Sequence, residues 1–317
     1  MNKNVLIRCD ASKKIGLGHI TRCLVLANQF RNNEYKVFFA IKNHEIAIEK
    51  IKEQKFDMLI ADDDNFDYFK WIEEILEEKE INIFIGDIRD NFPCELIVYM
   101  KNKNILTIAI DEPSAYAKEC DLCFYPPHAI IDKTRYKGIV YQGIEYVLLR
   151  PEFYLKYKKK KNEIPRVLVM MGGTDSYNLT FDVLEILEKK ESNFSISVVL
   201  DRKNENYSDV ESLIKISNKN INIFSNIKDM SFFLNDVDFA IITFGMSAYE
   251  LLYKNIRSIH ICLNEDHIKA SKFFSANNYA KSIETKSLIF DDNFLKEEIL
   301  DFSIVLNKVI NKIIKGC

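Results

Sequence analysis

Short apolar runs rich in β-branched residues alternate with segments of helical periodicity along most of this chain. Such alternation predicts βαβ units built around parallel sheets, with functional groups at the carboxyl ends of the strands. In the first half, strands are predicted at 4–10, 36–41, 56–62, 82–87, 105–111 and 121–126, and helices at 18–30, 44–54, 66–79 and 92–102.

The pattern pauses near residue 150 and then restarts. The run "LKYKKKKNEIP" is typical of a solvated linker between domains. After it, strands are predicted at 166–171, 195–201, 220–225 and 238–244, with helices at 178–190, 207–217, 228–235 and 247–254. We therefore predict an α/β protein with two Rossmann-like domains facing across a ligand-binding cleft. The predicted segments are a first domain at 1–152, a linker at 153–164, a second domain at 165–298 and an amphipathic helix at 299–317, packed on or between the domains.

Composition excludes several classes of protein. The chain of 317 residues is 47% hydrophobic and 29% charged, as in a folded globular protein. Its formal net charge of −3 makes nucleic acid a poor candidate for the main partner. No apolar run has the length of a signal peptide core or a membrane span, and seven cysteines, an odd number, favour a reducing compartment. We expect a cytoplasmic enzyme or binding protein without membrane insertion; the oligomeric state stays open.

Three glycine turns lie between a predicted strand and a predicted helix, in "GLGHITR", "MMGGTDSYNLT" and "TFGMSAYELL". Backbone N–H groups at a helix start, together with the helix dipole, favour an anion such as a phosphate. Three such turns predict a nucleoside diphosphate, and the absence of a P-loop and of G-x-G-x-x-G disfavours the usual ATP and NAD sites. The candidate binding residues in these turns are Gly16, Gly18, Gly172, Gly173, Thr174, Asp175, Gly245, Met246 and Ser247.

His19 directly follows the first turn, at the carboxyl end of the first predicted strand. It is either a structural histidine or a general base, for which the helix start would favour the neutral imidazole. Arg22, one helical turn further on, would share its face and contact substrate. Asp10 would orient His19, bind a sugar hydroxyl, or simply cap the loop.

Glu250 also permits two interpretations. In "SAYE", Ser247 could cap a helix while Glu250 reaches back to the backbone as the second half of a capping box. Alternatively, the carboxylate accepts hydrogen bonds from both hydroxyls of a ribose. The single C-x-x-C pair at 120–123 lacks the further ligands of a zinc site. We therefore expect no metal and no cofactor.

Taken together, "R-x-D-A-S-x-x-I-G-x-G-H-x-x-R" at 8–22, "MGGTD" with "NLT" at 171–180 and "S-x-x-Y-E-L-L" near 245–252 resemble a known family. It comprises the UDP-2,4-diacetamido-2,4,6-trideoxy-altropyranose hydrolases of pseudaminic acid biosynthesis and related spore-coat polysaccharide proteins, within the GT-B group. The resemblance covers roughly 4–285. It implies a metal-free UDP site mostly in the second domain, with Gly172 and Gly173 facing the diphosphate and Glu250 on the ribose. It also implies that His19 is catalytic.

Two segments depart from the pattern expected of the hydrolases. "IGDIRDN" at 85–91 stands where a tyrosine-containing loop is expected, and "NEDHIKA" at 264–270 has Asp266 and His267 in place of an Asn-Gln pair. Both segments would face the sugar, so these departures concern the identity of the sugar more than the binding of UDP.

The sequence thus predicts an inverting UDP-sugar hydrolase in which His19 activates water at the anomeric carbon. A GT-B glycosyltransferase that uses the same UDP-sugar site is the first alternative. A non-catalytic partner of an enzyme of nonulosonic acid biosynthesis is the second.

Overall fold

The computed structural model describes residues 3–10, 18–61, 67–111, 114–155, 162–172, 175, 177–284 and 312–313. The chain divides into two compact units, Met1–Arg150 with Val305–Cys317, and Pro151–Ile304. Residues 156–161 of the predicted linker lie outside the described residues.

The described strands of the first unit form a seven-stranded parallel sheet with the order β3-β2-β1-β4-β5-β6-β7. Apolar side chains are buried on both of its faces, as expected for a parallel sheet covered by helices. The elements are β1 (Asn4–Cys9), α1 (Gly18–Asn32), β2 (Lys36–Ile41), α2 (Glu45–Glu53), β3 (Asp57–Ile60), α3 (Tyr68–Glu78), β4 (Ile83–Asp87), α4 (Cys94–Asn102), β5 (Leu106–Ile110), β6 (Leu122–Tyr125) and β7 (Ile139–Gln142).

The second unit repeats this arrangement. Its described strands form a six-stranded parallel sheet with the order β10-β9-β8-β11-β12-β13. The elements are β8 (Arg166–Met170), α5 (Leu179–Glu188), β9 (Ser195–Val199), α6 (Tyr207–Ile216), β10 (Asn220–Phe224), α7 (Met230–Phe233), β11 (Phe239–Thr243), α8 (Met246–Tyr253), β12 (Arg257–Cys262), α9 (Glu265–Ala276) and β13 (Ala280–Glu284). Both sheets reverse their strand order once, beside the first strand of the unit, and ligands of open α/β sheets bind at such switch points.

The predicted α/β class with two Rossmann-like parallel sheets is confirmed, but four elements were not predicted: β7, β12, α9 and β13. β7 is a short edge strand without a fully buried residue, so its apolar pattern is weak. β12 is almost entirely buried, yet His260 interrupts its apolar run.

Near the chain end, the structure describes only residues 312–313 of the predicted amphipathic helix. Ile313 is completely buried in the core of the first unit, and the Lys312 Nζ lies 5.3 Å from the centroid of the Tyr141 ring. These contacts tie this short segment to the first unit. In the described part of the chain, no helix combines the length and the apolar character needed to span a membrane.

His260 is a structural histidine in the core of the second unit. Its ring nitrogens lie 2.9 Å from Ser258 Oγ and 2.9 Å from Ser271 Oγ, and burial lowers the pKa of His260 to about 3. The folded chain therefore keeps this imidazole neutral at pH values where the unfolded chain binds a proton.

We expect the free energy of unfolding to fall as the pH drops below about 6.5, because protons then bind preferentially to unfolded His260. The slope approaches about 1.4 kcal/mol per pH unit for one such group. Urea unfolding followed by circular dichroism at pH 7 and pH 5 measures it, with His260→Gln as the variant that hydrogen-bonds but does not titrate. An equal slope in both proteins would contradict the expectation.

Candidate functional site

The switch point of the first unit brings three sequence-distant elements together. β1 pairs with β4, so Asp10, directly after β1, lies near Asp87 at the end of β4. α1 begins at Gly18 and carries His19 in its first turn. A Cβ at Gly86 in β4 would lie 2.8 Å from Tyr116 Oη, so the buried Tyr116 side chain would have to shift to admit one. Close packing therefore explains the glycine that precedes Asp87.

Asp87 holds His19. Its Oδ1 lies 2.8 Å from His19 Nδ1, and its side chain is fully buried. Arg22 grips the same carboxylate in bidentate fashion, with Nε 2.5 Å from Oδ2 and Nη2 2.6 Å from Oδ1. The third nitrogen, Nη1, donates to Asp111 Oδ2 at 2.7 Å. Arg22 and Asp87 thus form the buried part of a charge network that continues to the partly exposed His19 and Asp111. We call these four residues the histidine network.

The ionisation of Asp87 follows from its surroundings. Burial alone would raise its pKa, but the Arg22 guanidinium, and to a lesser degree His19, hold the pKa of Asp87 well below its usual range. Asp87 is therefore an anion that accepts hydrogen bonds. An ionised carboxylate has no proton to donate, so the hydrogen bond with His19 requires the proton on Nδ1.

The other ring nitrogen of His19 then carries the lone pair. Arg89 Nε lies 3.4 Å from His19 Nε2, oriented as a donor, and Arg89 Nη2 donates to the carbonyl oxygen of Asp111 at 2.9 Å. The His19 side chain is 14% exposed, so the ring is only partly shielded from solvent. A histidine whose Nδ1 is fixed by a buried carboxylate and whose Nε2 carries the lone pair has the arrangement required of a general base.

The hydrogen bonds of Asp10 go to arginines and not to His19. Its Oδ1 accepts from Arg8 Nη1 at 2.6 Å, and its Oδ2 accepts from the Arg89 backbone N–H at 3.2 Å. Arg8 is completely buried; it also donates to Asp90 at 3.0 Å and to Tyr68 Oη at 2.7 Å. Asp10 therefore links β1 to the segment after β4, and Asp87 takes the orienting contact that the sequence analysis considered for Asp10.

In the second unit, the turn after β8 contains Gly172, whose φ of +79° explains the glycine. Gly173 and Thr174, like Gly16 of the first turn, lie outside the described residues. Asp175 is buried, and its carboxylate accepts from the N–H groups of Leu179 (2.9 Å) and Thr180 (3.0 Å) at the start of α5. N–H groups at a helix start are the ones expected to bind a phosphate. Here two of them already donate to the carboxylate of Asp175.

The turn after β11 differs in this respect. Gly245 is the N-cap of α8, and a Cβ at this position would meet nothing within 4 Å, so the turn borders open space. Met246 and Ser247 begin the helix, which places Ser247 inside it and not at its N-cap. The capping-box interpretation of this stretch, one of the two left open, is therefore not supported, because it needs Ser247 at the N-cap and Glu250 three residues later. Glu250 lies further along the helix, 7% exposed.

The two residues that distinguish "NEDHIKA" lie in the first turn of α9. Asp266 is 93% exposed and pairs with Lys269 at 3.8 Å on the helix surface. His267 is half-buried beside the turn after β11, with its ring centroid 5.8 Å from that of Phe244. Burial lowers the pKa of His267, against the opposing charge of Asp266. Of the pair, His267 is the one that adjoins the second glycine turn of this unit.

Among the described residues, no group of three or more His, Cys, Asp and Glu side chains could hold a metal ion. The C-x-x-C pair consists of free, buried thiols: Cys120 Sγ contacts the Tyr116 carbonyl at 3.5 Å, and Cys123 Sγ contacts the Ala117 carbonyl at 3.0 Å. Burial raises the pKa of Cys123 to about 12.

The sequence does not single out the three residues that contact His19 and Arg22 in the structure: Asp87, Asp111 and Arg89. Asp87 and Asp111 end the predicted strands 82–87 and 105–111, and Arg89 lies two residues after the first of them; this position at a strand end is the available signal. The adjacency of β1 and β4 is what turns these scattered residues into partners of His19.

No family model matches the chain. The chain is 32% identical over 285 residues to an uncharacterized protein of Methanocaldococcus jannaschii, covering 82% of the chain and 56% of that protein. The chain thus spans only about half the length of this relative. It is 27% identical over 280 residues to UDP-2,4-diacetamido-2,4,6-trideoxy-beta-L-altropyranose hydrolase of Campylobacter jejuni, covering 83% of the chain and 93% of that protein. It is 21% identical over 305 residues to spore coat polysaccharide biosynthesis protein SpsG of Bacillus subtilis, covering 92% and 87%.

Solved structures show the fold. MurG of Acinetobacter baumannii matches with a TM-score of 0.69 at 12% identity, covering 93% of this chain and 89% of that one. A glycosyltransferase of Rickettsia africae matches with a TM-score of 0.61 at 16% identity, covering 90% and 85%. The chain has the GT-B fold, and its resemblance to the altropyranose hydrolase and the spore-coat protein, predicted from the motifs, is confirmed.

Proposed function

We propose that the protein hydrolyses a UDP-sugar, with His19 as the general base. The observation that carries this proposal is the 2.8 Å contact between His19 Nδ1 and buried Asp87, which leaves the lone pair on Nε2 of a partly exposed ring. The similarity to the Campylobacter jejuni altropyranose hydrolase supports the substrate class, a UDP-linked 2,4-diacetamido-2,4,6-trideoxyhexose of nonulosonic acid biosynthesis.

In this mechanism, His19 Nε2 takes a proton from water while the water oxygen attacks the anomeric carbon. The bond between that carbon and the diphosphate oxygen breaks, its electron pair leaves with UDP, and the sugar is released with inverted configuration. Asp87, fixed as an anion by Arg22, stabilises the imidazolium that forms. No metal ion is required, because fixed protein dipoles and cations carry the developing negative charge.

The second unit would supply the nucleotide-binding groups. The start of α8 adjoins open space at Gly245, and His267 lies beside the same turn. Because the N–H groups of Leu179 and Thr180 serve Asp175, we assign the diphosphate to the α8 turn and to Gly172, with Gly173 and Thr174 as further candidates. Glu250 would accept hydrogen bonds from the ribose hydroxyls.

A panel of UDP-sugars tests the function. The purified protein is incubated with each in EDTA, and mass spectrometry identifies the products. Release of UDP and free sugar from a diacetamido-trideoxyhexose donor, without acceptor, is expected. Release that needs an added acceptor would identify a glycosyltransferase, and activity that returns only with Mg²⁺ or Mn²⁺ would contradict the metal-free mechanism. No turnover with any donor would favour a non-catalytic role.

Glu250→Gln separates ribose binding from a structural role. The amide keeps the shape of the side chain but loses its charge, and hydrogen bonds to charged groups contribute roughly 1.5–3 kcal/mol. We therefore expect the affinity for UDP to fall about 10- to 100-fold by calorimetry. Glu265→Gln, at a carboxylate that is 89% exposed on α9, is the matched control. Unchanged UDP affinity with a lower melting temperature would make Glu250 purely structural.

A further inference from the structure

Arg22 directs three nitrogens at carboxylates of its own chain. Nε and Nη2 contact both oxygens of Asp87, and Nη1 contacts Asp111 at 2.7 Å. Its side chain is only 11% exposed. Its position one helical turn after His19 predicts contact with substrate, but a guanidinium whose nitrogens already donate to two carboxylates has little capacity left for a ligand.

The planar fork of arginine matches a carboxylate better than the point charge of lysine does, because its two parallel N–H groups fix the carboxylate plane. This matters for Asp87, which is fully buried and ends a strand. Arg22 compensates its charge and sets the direction of Oδ1. That oxygen in turn faces His19 Nδ1 at 2.8 Å.

The alternative is a His19 tautomer without a proton on Nδ1. Arg22 Nη2 also lies 2.8 Å from His19 Nδ1, so it could in principle donate to that nitrogen. The Nδ1 lone pair would then face the anionic Oδ1 of Asp87 at 2.8 Å, which is repulsive. With the proton on Nδ1, the ring and the guanidinium both donate to Oδ1, the arrangement that an anionic oxygen favours.

We infer that Arg22, supported by Asp111, is a positioning residue that holds Asp87 so that His19 stays in the Nδ1-protonated tautomer, and that it does not bind substrate. The inference deepens the proposed function and rests on it for the role of His19 in turnover. Its structural content, the tautomer and the alignment of Asp87, is measurable without any substrate.

The variant that tests it is Arg22→Lys, which keeps a positive charge near Asp87 but removes the bidentate grip. The matched control is Arg31→Lys at the other end of α1, where the arginine contacts Asn28 and the carbonyl of Gln54. In Arg22→Lys we expect kcat to fall about 10- to 100-fold, as small misplacements of a reacting group do, with KM and the UDP dissociation constant within about twofold. Arg31→Lys is expected to match the wild type.

Nitrogen NMR of protein labelled at its five histidines gives the readout that is independent of activity, with His19→Asn assigning the signal. The wild type is expected to show only the Nδ1-protonated form of His19, and Arg22→Lys a mixture of both tautomers. An Nε2-protonated wild type would overturn the inference even if the variant failed to fold. So would a KM or UDP dissociation constant raised tenfold at unchanged kcat, since Arg22 would then contact substrate.

The two proposals fail in distinguishable ways. If the wild type turns over no UDP-sugar, the proposed function is wrong, while the tautomer measurement still decides whether Arg22 and Asp87 position His19. If the wild type turns over its substrate but Arg22→Lys has unchanged kcat and an unchanged tautomer, the positioning role is wrong and the hydrolase proposal stands.

Discussion

His19→Asn is expected to lower turnover about 10²–10⁴-fold, the usual contribution of a positioned acid–base group, while UDP binds with nearly wild-type affinity. Asparagine can occupy much of the same space and can donate a hydrogen bond to Asp87, but it cannot take a proton from water at neutral pH. The fold should be retained, since His19 lies at the edge of the first unit's core and is 14% exposed.

Single-turnover rates and calorimetric UDP affinity of the same preparation measure the effect. His44→Asn is the matched control, since His44 precedes α2 at its N-cap and its side chain makes no capping hydrogen bond. Parallel losses of melting temperature, UDP affinity and rate would make His19 a structural histidine. A fully active His19→Asn would remove it from the mechanism and point to Asp10.

The position of His19 was predictable because its neighbours in the sequence are informative. Glycines before it and a predicted strand ahead of them placed it at the carboxyl end of a β-strand, where α/β proteins bind ligands. Its orienting partner was not predictable in the same way. An aspartate after an apolar run is common, and Asp87 becomes the partner of His19 only because β4 pairs with β1 across more than seventy residues of sequence.

The glycine turns of the second unit show a different limit of sequence reasoning. The sequence of the turn after β8 predicts an anion site. In the structure, however, the Asp175 carboxylate accepts hydrogen bonds from two N–H groups at the start of α5. Whether a carboxylate in such a turn faces a ligand or caps its own helix depends on a backbone conformation that residue types leave undetermined. Asp175 takes a positive φ of 41°, which is uncommon for a residue other than glycine.

The same ambiguity applied to Ser247 and Glu250, whose spacing matches a capping box although the helix begins one residue before Ser247. In both cases the type of element was predicted correctly, and the position of the helix start decided which polar side chain could reach the backbone. A prediction of fold class depends on many residues, so an error of one residue in a helix start does not change it. A prediction of what one carboxylate binds can be reversed by the same error.

Asp87→Asn is expected to lower both turnover and stability. An amide can present its NH₂ group to His19 Nδ1 and so favour the Nε2-protonated tautomer, in which the base has no lone pair directed at water. A loss of about 10²–10⁴-fold in kcat follows. Removing one partner of a buried ion pair costs on the order of 3–5 kcal/mol, and we expect the lower part of that range because Asp111 still balances part of the charge of Arg22.

The stability effect should depend on pH in a defined direction. The pKa of folded Asp87 is held below the 3.8 of an unperturbed aspartate, since the ion pair with Arg22 outweighs burial. The stabilisation is therefore complete above about pH 5, and it is lost as the pH falls below about 4, where the unfolded chain takes up a proton first. The difference between wild type and Asp87→Asn should be largest at pH 7 and should shrink at pH 3.

Urea unfolding at pH 7, 5 and 3 measures this difference, followed by the fluorescence of the single tryptophan, Trp71, which lies on α3 of the first unit. Asp121→Asn is the matched control, because Asp121 in the same unit accepts hydrogen bonds from Thr107 but belongs to no part of the histidine network. It should reduce stability without changing kcat. If Asp87→Asn did the same, Asp87 would stabilise the switch point of the sheet without orienting the base. If it lowered kcat with no loss of stability, the bidentate pair with Arg22 would serve alignment of His19 alone.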